Sequence, residues 1–512
     1  MRDVLLGQAY YLRFDRKLWR AQQPYAPLGT LYAASYLRSR GHSVALFDAM
    51  LARSEADWAD ALNRAKPPVA VIYEDSFNYL TKMCLLRMRQ AACRMIDLAR
   101  RRRCPIVISG SDATDHPEIY LQHGAAAVIL GEGEVTLGEL VERLKTDGPL
   151  ESVAGIAYMD AKQQVRRTPP RPFVKALDEL PLPAWDLVDV QRYRAIWKRH
   201  HGYYSMNVAT TRGCPYHCNW CAKPIYGQRY AVRSPDNVSQ EISWLTREYR
   251  PDHISVVDDV FGLQPGWIEK FADRVVESGN RLPFRCLMRA DQISDSVTRA
   301  LVGSGCRMVW MGAESGSQRI LDAMEKGVRV EQIRDAARLL HSAGIGVGLF
   351  LQFGYPGETW DDIQRTLALT RDVDPEDIGV SISYPLPGTR FYERVREGLG
   401  QKQNWFDSAD LAMMYRASYA PAFYRVLHDV VHHEFRVRRL TRTLGRDFSQ
   451  HVIPRASPGR HAAAWLYNRL SLPLAERRLR RMSREAIHRS SSSDRMPILT
   501  RGAAATPTQQ DA

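Results

Sequence analysis

The sequence predicts an α/β protein with an N-terminal Rossmann-like domain, a partial (β/α)6 barrel and a helical C-terminal extension. Two observations support this fold class. Short apolar runs alternate with helix-length segments over residues 1–150, a pattern typical of βαβ units and a parallel sheet. Six further strand-like runs with helical segments between them follow over residues 201–400, fewer than the eight of a complete barrel.

The strand-like runs of the first region are VLLG, SVALFDA, PPVAVIYED, CPIVISG and AAAVILGEGE. Ligands of doubly wound sheets bind outside the carboxyl ends of the strands. Two of these ends are rich in glycine and polar residues, so we expect the backbone to approach a flat ligand there. The residues concerned are Gly110, Ser111, Asp112, Gly131, Glu132, Gly133 and Glu134.

Residues 151–200 are dense in proline and show little periodicity. This composition predicts an extended connector that lies across a surface.

The strand-like runs of the third region, residues 201–400, are YSMNVATTRG, HISVVDD, FRCLMRAD, MVWMGAES, GVGLFLQFGYPG and DIGVSISYPLPG. Active sites of such barrels lie at the carboxyl ends of the strands. Polar residues follow the first, second and fourth runs, which predicts a site at this end. They are Cys214, Cys218, Cys221, Asp258, Asp259, Glu314, Ser315 and Gly316.

Residues 401–480 are predicted to form a basic helical region, and residues 481–512, rich in serine, alanine and arginine, a disordered tail. From Arg425 onward the sequence has seventeen arginines and no lysine against seven acidic residues, which accounts for most of the net charge of +14. A solvated helical face is one interpretation of this basic segment. Peripheral contact with an acidic membrane surface, a nucleic acid or a partner protein is the other.

No apolar run approaches the roughly 18 residues that a membrane span needs. The N-terminus turns polar and basic too early for a secretory signal. We therefore expect a cytoplasmic protein whose eight cysteines are reduced thiols or metal ligands.

Three of these cysteines, Cys214, Cys218 and Cys221, lie within eight positions. A structural zinc site takes four ligands, and His217 inside the loop is the available fourth, but this spacing is uncommon for zinc. A cubane iron–sulfur cluster normally takes four cysteines. Three thiolates on one loop would hold three irons and leave the fourth open to a substrate or cofactor.

The run RGCPYHCNWC, with Trp220 before its last cysteine, resembles the signature of the radical S-adenosylmethionine (radical SAM) superfamily. The runs VVDDVFG, GAESGSQRIL and GYPGET follow in the order typical of that superfamily's barrels. The runs PLGTLYAASYLRSRGHSVALFDA and VILGEGEVTLGELV resemble the cobalamin-binding domain that precedes the barrel in one subgroup. That subgroup contains the class B methyltransferases and the anaerobic magnesium-protoporphyrin ester cyclases.

The resemblance implies a [4Fe-4S] cluster on Cys214, Cys218 and Cys221, with SAM on the fourth iron. A reductant such as flavodoxin or ferredoxin would supply the electron that cleaves SAM to a 5′-deoxyadenosyl radical. Trp220 would pack near the cluster or the adenine. The other SAM contacts implied are Asp258 and Asp259 at the methionyl group, with Glu314, Ser315 and Gly316 at the ribose or carboxylate.

The resemblance also implies cobalamin on the glycine-rich loops of the first region. Two departures concern its axial ligand. The first strand is followed by GQAYYLRFDRK without the histidine of the D-x-H-x-x-G motif, and Asp112 stands where the subgroup often has histidine. We expect cobalamin without a protein imidazole ligand, the alternative being a domain that has lost cobalamin and kept its fold.

The implied reaction is methylation of an unactivated carbon in a small-molecule substrate, such as a secondary metabolite, a lipid or a tetrapyrrole-like compound. Oxidative cyclisation or hydroxylation of the magnesium-protoporphyrin ester cyclase type is the alternative. An RNA-modifying enzyme similar to the methylthiotransferases is a further alternative. Nucleic acid is not expected as a partner, because Cys84, Cys93 and Cys104 are poorly spaced for the second cluster of those enzymes.

Overall fold

A computed structural model describes residues 2–445 and 458–490 of the chain. They form a sheet domain, a half-barrel and a pair of long helices, in the order that the sequence predicts. None of the helices in these two ranges combines the length and the hydropathy that crossing a membrane requires.

Seven described strands form the N-terminal sheet: β1 (Val4–Gly7), β2 (Val44–Phe47), β3 (Val69–Tyr73), β4 (Ile106–Ser109), β5 (Ala127–Ile129), β6 (Ile156–Met159) and β7 (Val165–Arg167). Their order is β2-β1-β3-β4-β5-β6-β7, and the first five run parallel. Every residue of β1, β3, β4 and β5 is buried. This is why these strands are continuous apolar runs rather than alternating ones.

Helices cover both faces of this sheet: α1 (Arg16–Ala21), α2 (Leu28–Ser39), α3 (Glu55–Ala65), α4 (Tyr79–Lys82), α5 (Leu86–Arg100), α6 (Ser111–Asp115), α7 (Pro117–Gln122) and α8 (Glu134–Lys145). Leu37 of α2 and Leu140 of α8 belong to the core on one face. Trp58 of α3 and Ile96 of α5 belong to the core on the other. The predicted doubly wound domain is confirmed.

The region predicted as an extended connector, residues 151–200, differs from that prediction at both ends. Strands β6 and β7 continue the N-terminal sheet: β6 pairs antiparallel with β5, and β7 pairs antiparallel with β6. The apolar run of β6 satisfies the backbone groups along the edge of β5. The helix α9 (Val190–His201) ends the region, with the Asp189 side chain accepting from the Arg192 N–H as its N-cap. Only the proline-rich middle lacks strands and α-helices.

The second sheet and the ribbon beside it contain β8 (Ser205–Val208), β9 (Thr211–Arg212), β10 (Ala231–Val232), β11 (His253–Val256), β12 (Phe284–Met288), β13 (Cys306–Glu314), β14 (Gly346–Phe353) and β15 (Asp377–Ile382). Six of these strands form a parallel half-barrel in the order β15-β14-β13-β12-β11-β8. The other two, β9 and β10, form a two-stranded ribbon. The connecting helices are α10 (Pro235–Tyr249), α11 (Trp267–Ser278), α12 (Asp295–Ser304), α13 (Gln318–Ala323), α14 (Val330–Ser342), α15 (Trp360–Val373) and α16 (Arg390–Val395).

Two helices close the described chain, α17 (Pro421–Gly445) and α18 (Pro458–Ser490). The prediction that the C-terminal region is helical from its start is wrong, because residues 404–420 contain no helix. Asp410 accepts from the Phe406 N–H, an aspartate–backbone bond of the kind that competes with helix formation. The segment instead lies against the N-terminal domain, where the Leu86 N–H donates to the Trp405 carbonyl oxygen at 2.8 Å.

The predicted start of disorder at residue 481 is also wrong, since α18 continues to Ser490. The rest of that prediction, residues 491–512, lies outside the described residues.

Arg233, just after β10, joins the half-barrel to the N-terminal domain. Its guanidinium pairs with Glu241, and both side chains are buried. It also donates to the Ala209 carbonyl oxygen at 2.9 Å and to the Tyr32 hydroxyl at 3.2 Å. Removing one partner of a buried ion pair leaves an uncompensated charge.

We expect Arg233→Met to destabilise the protein by about 3–5 kcal/mol, because Glu241 would remain buried without its partner. The measurement is the melting temperature. The control is Arg274→Met, which breaks only exposed ion pairs and should change stability by about 0.5 kcal/mol or less. Equal melting temperatures for the two variants would contradict this role of Arg233.

Candidate active site

The loop that carries the three cysteines leaves the half-barrel after β9 and returns at β10. The two strands pair antiparallel and so close the base of the loop. Gly213, its first residue, has a φ of +78°, and a Cβ there would lie 2.4 Å from the Arg229 carbonyl oxygen. Glycine alone fits this close approach.

The three thiols lie close enough to affect one another's ionisation. Cys214 is buried, and Cys218 and Cys221 are half-buried. Burial raises the pKa of Cys221 to about 12, and the other two thiols contribute to the increase while Lys223 opposes it. Burial likewise raises the pKa of Cys214. Thiolates at these positions therefore require a compensating cation.

This donor set fits an iron–sulfur cluster, which binds thiolates and supplies the missing positive charge. Among the described residues, no group of three or more histidine, cysteine, aspartate or glutamate side chains is arranged to hold a metal ion. A cubane takes each thiolate on a separate iron and does not need its ligands to converge on one point. Cys214, Cys218 and Cys221 are the residues that would hold the cluster.

Asn219, between the second and third cysteines, fixes the loop to the half-barrel. Its side-chain N–H donates to the Ala323 carbonyl oxygen at 2.8 Å, and its amide oxygen accepts from the Tyr355 hydroxyl at 2.9 Å. Its backbone N–H donates to Met324 and its carbonyl oxygen accepts from Phe391. Sequence reasoning missed this residue, whose only signal is a polar side chain between two predicted ligands.

Trp220 packs against a buried apolar cluster that contains residues of α13, Tyr355 and residues of α16. Its indole N–H is buried and has no hydrogen-bond partner among the described residues. The structure thus places Trp220 beside the loop, and its predicted contact with the cluster or adenine stays a prediction.

Asp258 fixes the chain that leads into the cysteine loop. Its carboxylate accepts from the backbone N–H groups of Thr210 at 2.6 Å and Thr211 at 3.0 Å. Burial raises its pKa to about 7 against these hydrogen bonds, which lower it. Asp258 thus positions the start of the loop, and its predicted contact with SAM stays a prediction.

Asp259 pairs with Lys82 of the N-terminal domain at 2.6 Å. Both side chains retain some exposure to solvent, and both affect the ionisation of Cys221. This ion pair therefore lies near the predicted cluster, at the boundary of the two domains.

Glu314, Ser315 and Gly316 lie at the carboxyl end of β13. Glu314 has a φ of +57° and pairs with Lys326 at 2.9 Å. The Gly316 N–H donates to the Thr366 hydroxyl at 2.9 Å, and Ser315 contacts the same hydroxyl. The electrostatic effect of Cys218 on Lys326 places this ion pair near the cluster too. The predicted SAM contacts of these residues stay predictions.

Gly110, Ser111 and Asp112 follow β4 at the carboxyl edge of the N-terminal sheet. A Cβ on Gly110 would lie 2.8 Å from the Glu74 side chain. The Ser111 hydroxyl is buried without a partner among the described residues. Asp112 pairs with Arg89, which lowers its pKa although burial alone would raise it. Asp112 is thus held within its own domain.

Glu132 and Glu134, the two acidic residues of the GEGE run, both bind Arg212. The Arg212 guanidinium lies 2.5 Å from Glu132 and 2.8 Å from Glu134, and all three side chains are at least 93% buried. Arg212 precedes Cys214 by two residues, so one buried cation connects the N-terminal domain to the cysteine loop. These carboxylates were predicted to contact a cofactor, and the structure shows them occupied by Arg212.

Gly131 and Gly133 show where this glycine-rich edge faces. A Cβ on Gly131 would lie 3.6 Å from the carbonyl oxygen of Ile225, in the second half of the cysteine loop, and one on Gly133 would lie 2.9 Å from Tyr73. The edge predicted to bind cobalamin therefore faces the loop predicted to bind the cluster. The buried Ser111 hydroxyl, which has no partner among the described residues, is a polar atom that a group bound at this edge would satisfy.

Three of the five cysteines outside the loop, those compared above with a second cluster, are dispersed. Cys84 lies between α4 and α5, Cys93 within α5, and Cys104 before β4. Burial raises the pKa of all three. This is the environment of inert thiols rather than of metal ligands.

Glu358, in the turn after β14, is 1% exposed. One carboxylate oxygen accepts from the Gly354 N–H at 2.7 Å, and the other has no partner among the described residues. Burial raises its pKa to about 8. Glu358 therefore favours the protonated form in the folded protein.

Two segments of the chain match known families. Residues 208–370 match the Radical SAM superfamily, and residues 19–141 match the B12 binding domain. The first match contains the cysteine loop, and the second contains the Gly110 and Gly131 edges.

A methyltransferase and a cyclase are among the proteins that the chain is similar to. It is 28% identical to an uncharacterized methyltransferase of Pyrococcus horikoshii, over 83% of this chain and 94% of the relative. It is 25% identical to the anaerobic magnesium-protoporphyrin IX monomethyl ester cyclase of Synechocystis sp., over 62% of each.

OxsB and TsrM are among the solved structures that share the fold. The cobalamin-dependent S-adenosylmethionine radical enzyme OxsB, with aqua-cobalamin bound, has a TM-score of 0.71 at 17% identity, over 93% of this chain and 72% of that chain. The radical S-adenosylmethionine methyltransferase TsrM of Kitasatospora setae, with cobalamin and a [4Fe-4S] cluster bound, has a TM-score of 0.64 at 20% identity, over 78% of this chain and 75% of that chain.

We expect Arg212→Met to loosen the N-terminal domain from the half-barrel, because Glu132 and Glu134 would remain buried without a cation. The expected destabilisation is about 3–5 kcal/mol. The measurements are the melting temperature and the rate of proteolysis in residues 168–189. Arg38→Met, which breaks a more exposed ion pair with Asp186, is the control. Melting and proteolysis like those of the control would disprove the proposed connection.

Glu358→Gln should change the pH dependence of stability. The folded pKa of about 8 lies above the ordinary 4.5, so the native protein loses stability as the pH rises between these values. The free energy of unfolding of the variant, relative to that of the native protein, should therefore increase by up to about 1.4 kcal/mol per pH unit between these two values. Melting temperatures at about pH 5 to about pH 8 measure the difference. A difference that stays constant over this pH range would show that Glu358 does not titrate as described.

Proposed function

We propose that the chain is a radical SAM enzyme that methylates an unactivated carbon of a small-molecule substrate, because residues 208–370 match the Radical SAM superfamily and residues 19–141, before the barrel, match the B12 binding domain. The substrate class is a secondary metabolite, a lipid or a tetrapyrrole-like compound. The proposal includes SAM, a [4Fe-4S] cluster and cobalamin as cofactors. A flavodoxin or ferredoxin would act as reductant in the cytoplasm.

One observation carries the proposal: the glycine-rich edge of the B12-binding domain faces the cysteine loop. Arg212 connects the two, with its guanidinium on Glu132 and Glu134 and its backbone two residues before Cys214. Gly131 lies next to the second half of that loop. A methyl donor on one side and a radical source on the other would thus share one space.

When bound, the cluster and SAM supply the radical chemistry, and cobalamin supplies the methyl group. The described residues would bind these groups and hold the cysteine loop in position. Asp258 fixes the approach to the loop, and Asn219 fixes the loop's second half. Lys82 and Lys326 carry positive charge near the thiolates, where it offsets their repulsion.

Oxidative cyclisation is the second candidate function, supported by the similarity to the Synechocystis cyclase. The two reactions differ in what becomes of SAM. Methyl transfer from SAM leaves S-adenosylhomocysteine, whereas hydrogen abstraction alone leaves 5′-deoxyadenosine and methionine. Formation of both nucleosides in step with product supports methylation. Formation of 5′-deoxyadenosine alone supports cyclisation.

We expect Cys214→Ala, Cys218→Ala and Cys221→Ala each to stop 5′-deoxyadenosine formation, because each removes one thiolate from a set of three. The measurements are iron content and 5′-deoxyadenosine after anaerobic reconstitution and reduction. Cys104→Ala, outside the loop, is the control and should retain both. Retained SAM cleavage in any of the three loop variants would refute the cluster assignment.

A further inference from the structure

The helix α18 is fixed to α17 along one side. The Asn468 amide oxygen contacts a ring nitrogen of His433 at 2.8 Å, and the Trp465 indole N–H donates to the Thr441 hydroxyl at 2.9 Å. Leu479 on the same side is 1% exposed. The opposite side of α18 therefore points away from the protein.

The first half of that outer side is apolar. Leu466, Leu470 and Leu474 are 51–68% exposed, and Tyr467, 64% exposed, lies at the edge of this side with its ring 5.8 Å from that of His433 in α17. The three leucines recur at intervals of four residues, which places them in one stripe along the helix. Four of the ten large hydrophobic side chains that are exposed in the described chain lie in these nine residues. A concentration of this kind marks an interaction surface rather than scattered exposure. We call these four residues the apolar stripe.

The second half of the outer side is basic. Its exposed arginines are Arg477, Arg478, Arg480, Arg481 and Arg484. Over its whole length α18 has eight arginines, two glutamates and no lysine or aspartate, a formal charge of +6. The glutamates are already near Arg480 and Arg481. The excess positive charge is thus directed outward, next to the apolar stripe.

We propose that α18 docks this chain on an anionic lipid surface, with the apolar stripe inserted at the headgroup boundary and the arginines on the acidic headgroups. An apolar strip of leucine and tyrosine followed by a cluster of arginines is the chemistry that such a surface recognises. The inference is independent of the proposed reaction.

The charge and the apolar stripe together distinguish three possible ligands of this face: an RNA, a second copy of the chain and an anionic bilayer. An RNA would use the arginines but leave three leucines and a tyrosine against a phosphate backbone. A second copy would cover the stripe but bring two helices of +6 together. An anionic bilayer satisfies both halves at once.

The docking geometry leaves the candidate active site accessible. Trp465 lies beside Thr441, and the next residue of α17, Arg442, donates to the Pro375 carbonyl oxygen at 2.9 Å. Pro375 precedes β15, so the apolar stripe begins at the amino end of the half-barrel. The cysteine loop lies at the carboxyl end of the strands.

The test is sedimentation of the full chain with vesicles of phosphatidylcholine alone or with about 30% phosphatidylglycerol. The first variant combines Leu466→Ser, Leu470→Ser and Leu474→Ser. The second combines Arg477→Gln, Arg478→Gln and Arg484→Gln. The matched control combines Val276→Ser and Val302→Ser, two exposed apolar residues elsewhere. The melting temperature and the iron content of each variant check its folding.

We expect binding to the anionic vesicles only, reduced about ten-fold or more by either triple variant and unchanged in the control. Raising the salt from about 0.1 M to about 0.5 M should weaken it. Absence of binding, or binding that the leucine variant retains, would overturn the proposal. So would a dimer that the leucine variant dissociates, or salt-sensitive binding of an RNA oligonucleotide with no affinity for vesicles.

Discussion

The buried ion pairs of Arg212 with Glu132 and Glu134 are the interaction on which the arrangement of the two domains depends. Three ionisable side chains removed from water are stable only if they satisfy one another. The rings of Tyr32, Phe77 and Tyr226 surround the guanidinium within about 6 Å and exclude water from it. Since Arg212 belongs to β9 and the glutamates to the N-terminal domain, the cysteine loop cannot move far without breaking this contact.

The acidic residues at the strand ends share a related function. Asp258 holds the backbone before the loop, Asp259 pairs with Lys82, and Glu314 pairs with Lys326. Each carboxylate has a partner, and the two lysines influence the thiols of Cys221 and Cys218. The lysines therefore add positive charge where a cluster on three thiolates would concentrate negative charge.

Much of this arrangement follows from local sequence, and some of it does not. The parallel strands were predictable because buried strands are continuous apolar runs, as in β3 and β4. The cysteine loop was predictable because of the spacing of its three cysteines. The ion pairs of Glu132 and Glu134 with Arg212 were not, because the partners lie about 80 residues apart and no periodicity connects them. The sequence predicts helix over residues 404–420, whereas the hydrogen bonds of the Trp405 and Phe406 carbonyl oxygens to the N-terminal domain hold the start of this segment out of helical structure.

The claim that two cofactors face each other across one domain boundary is tested most directly by anaerobic metal analysis and absorption spectroscopy of protein produced with cobalamin. About four irons and about one cobalt per chain, with the spectra of both groups, are the expected result. Four irons without cobalt would contradict it, and would leave a radical enzyme whose N-terminal domain has kept its fold without its cofactor.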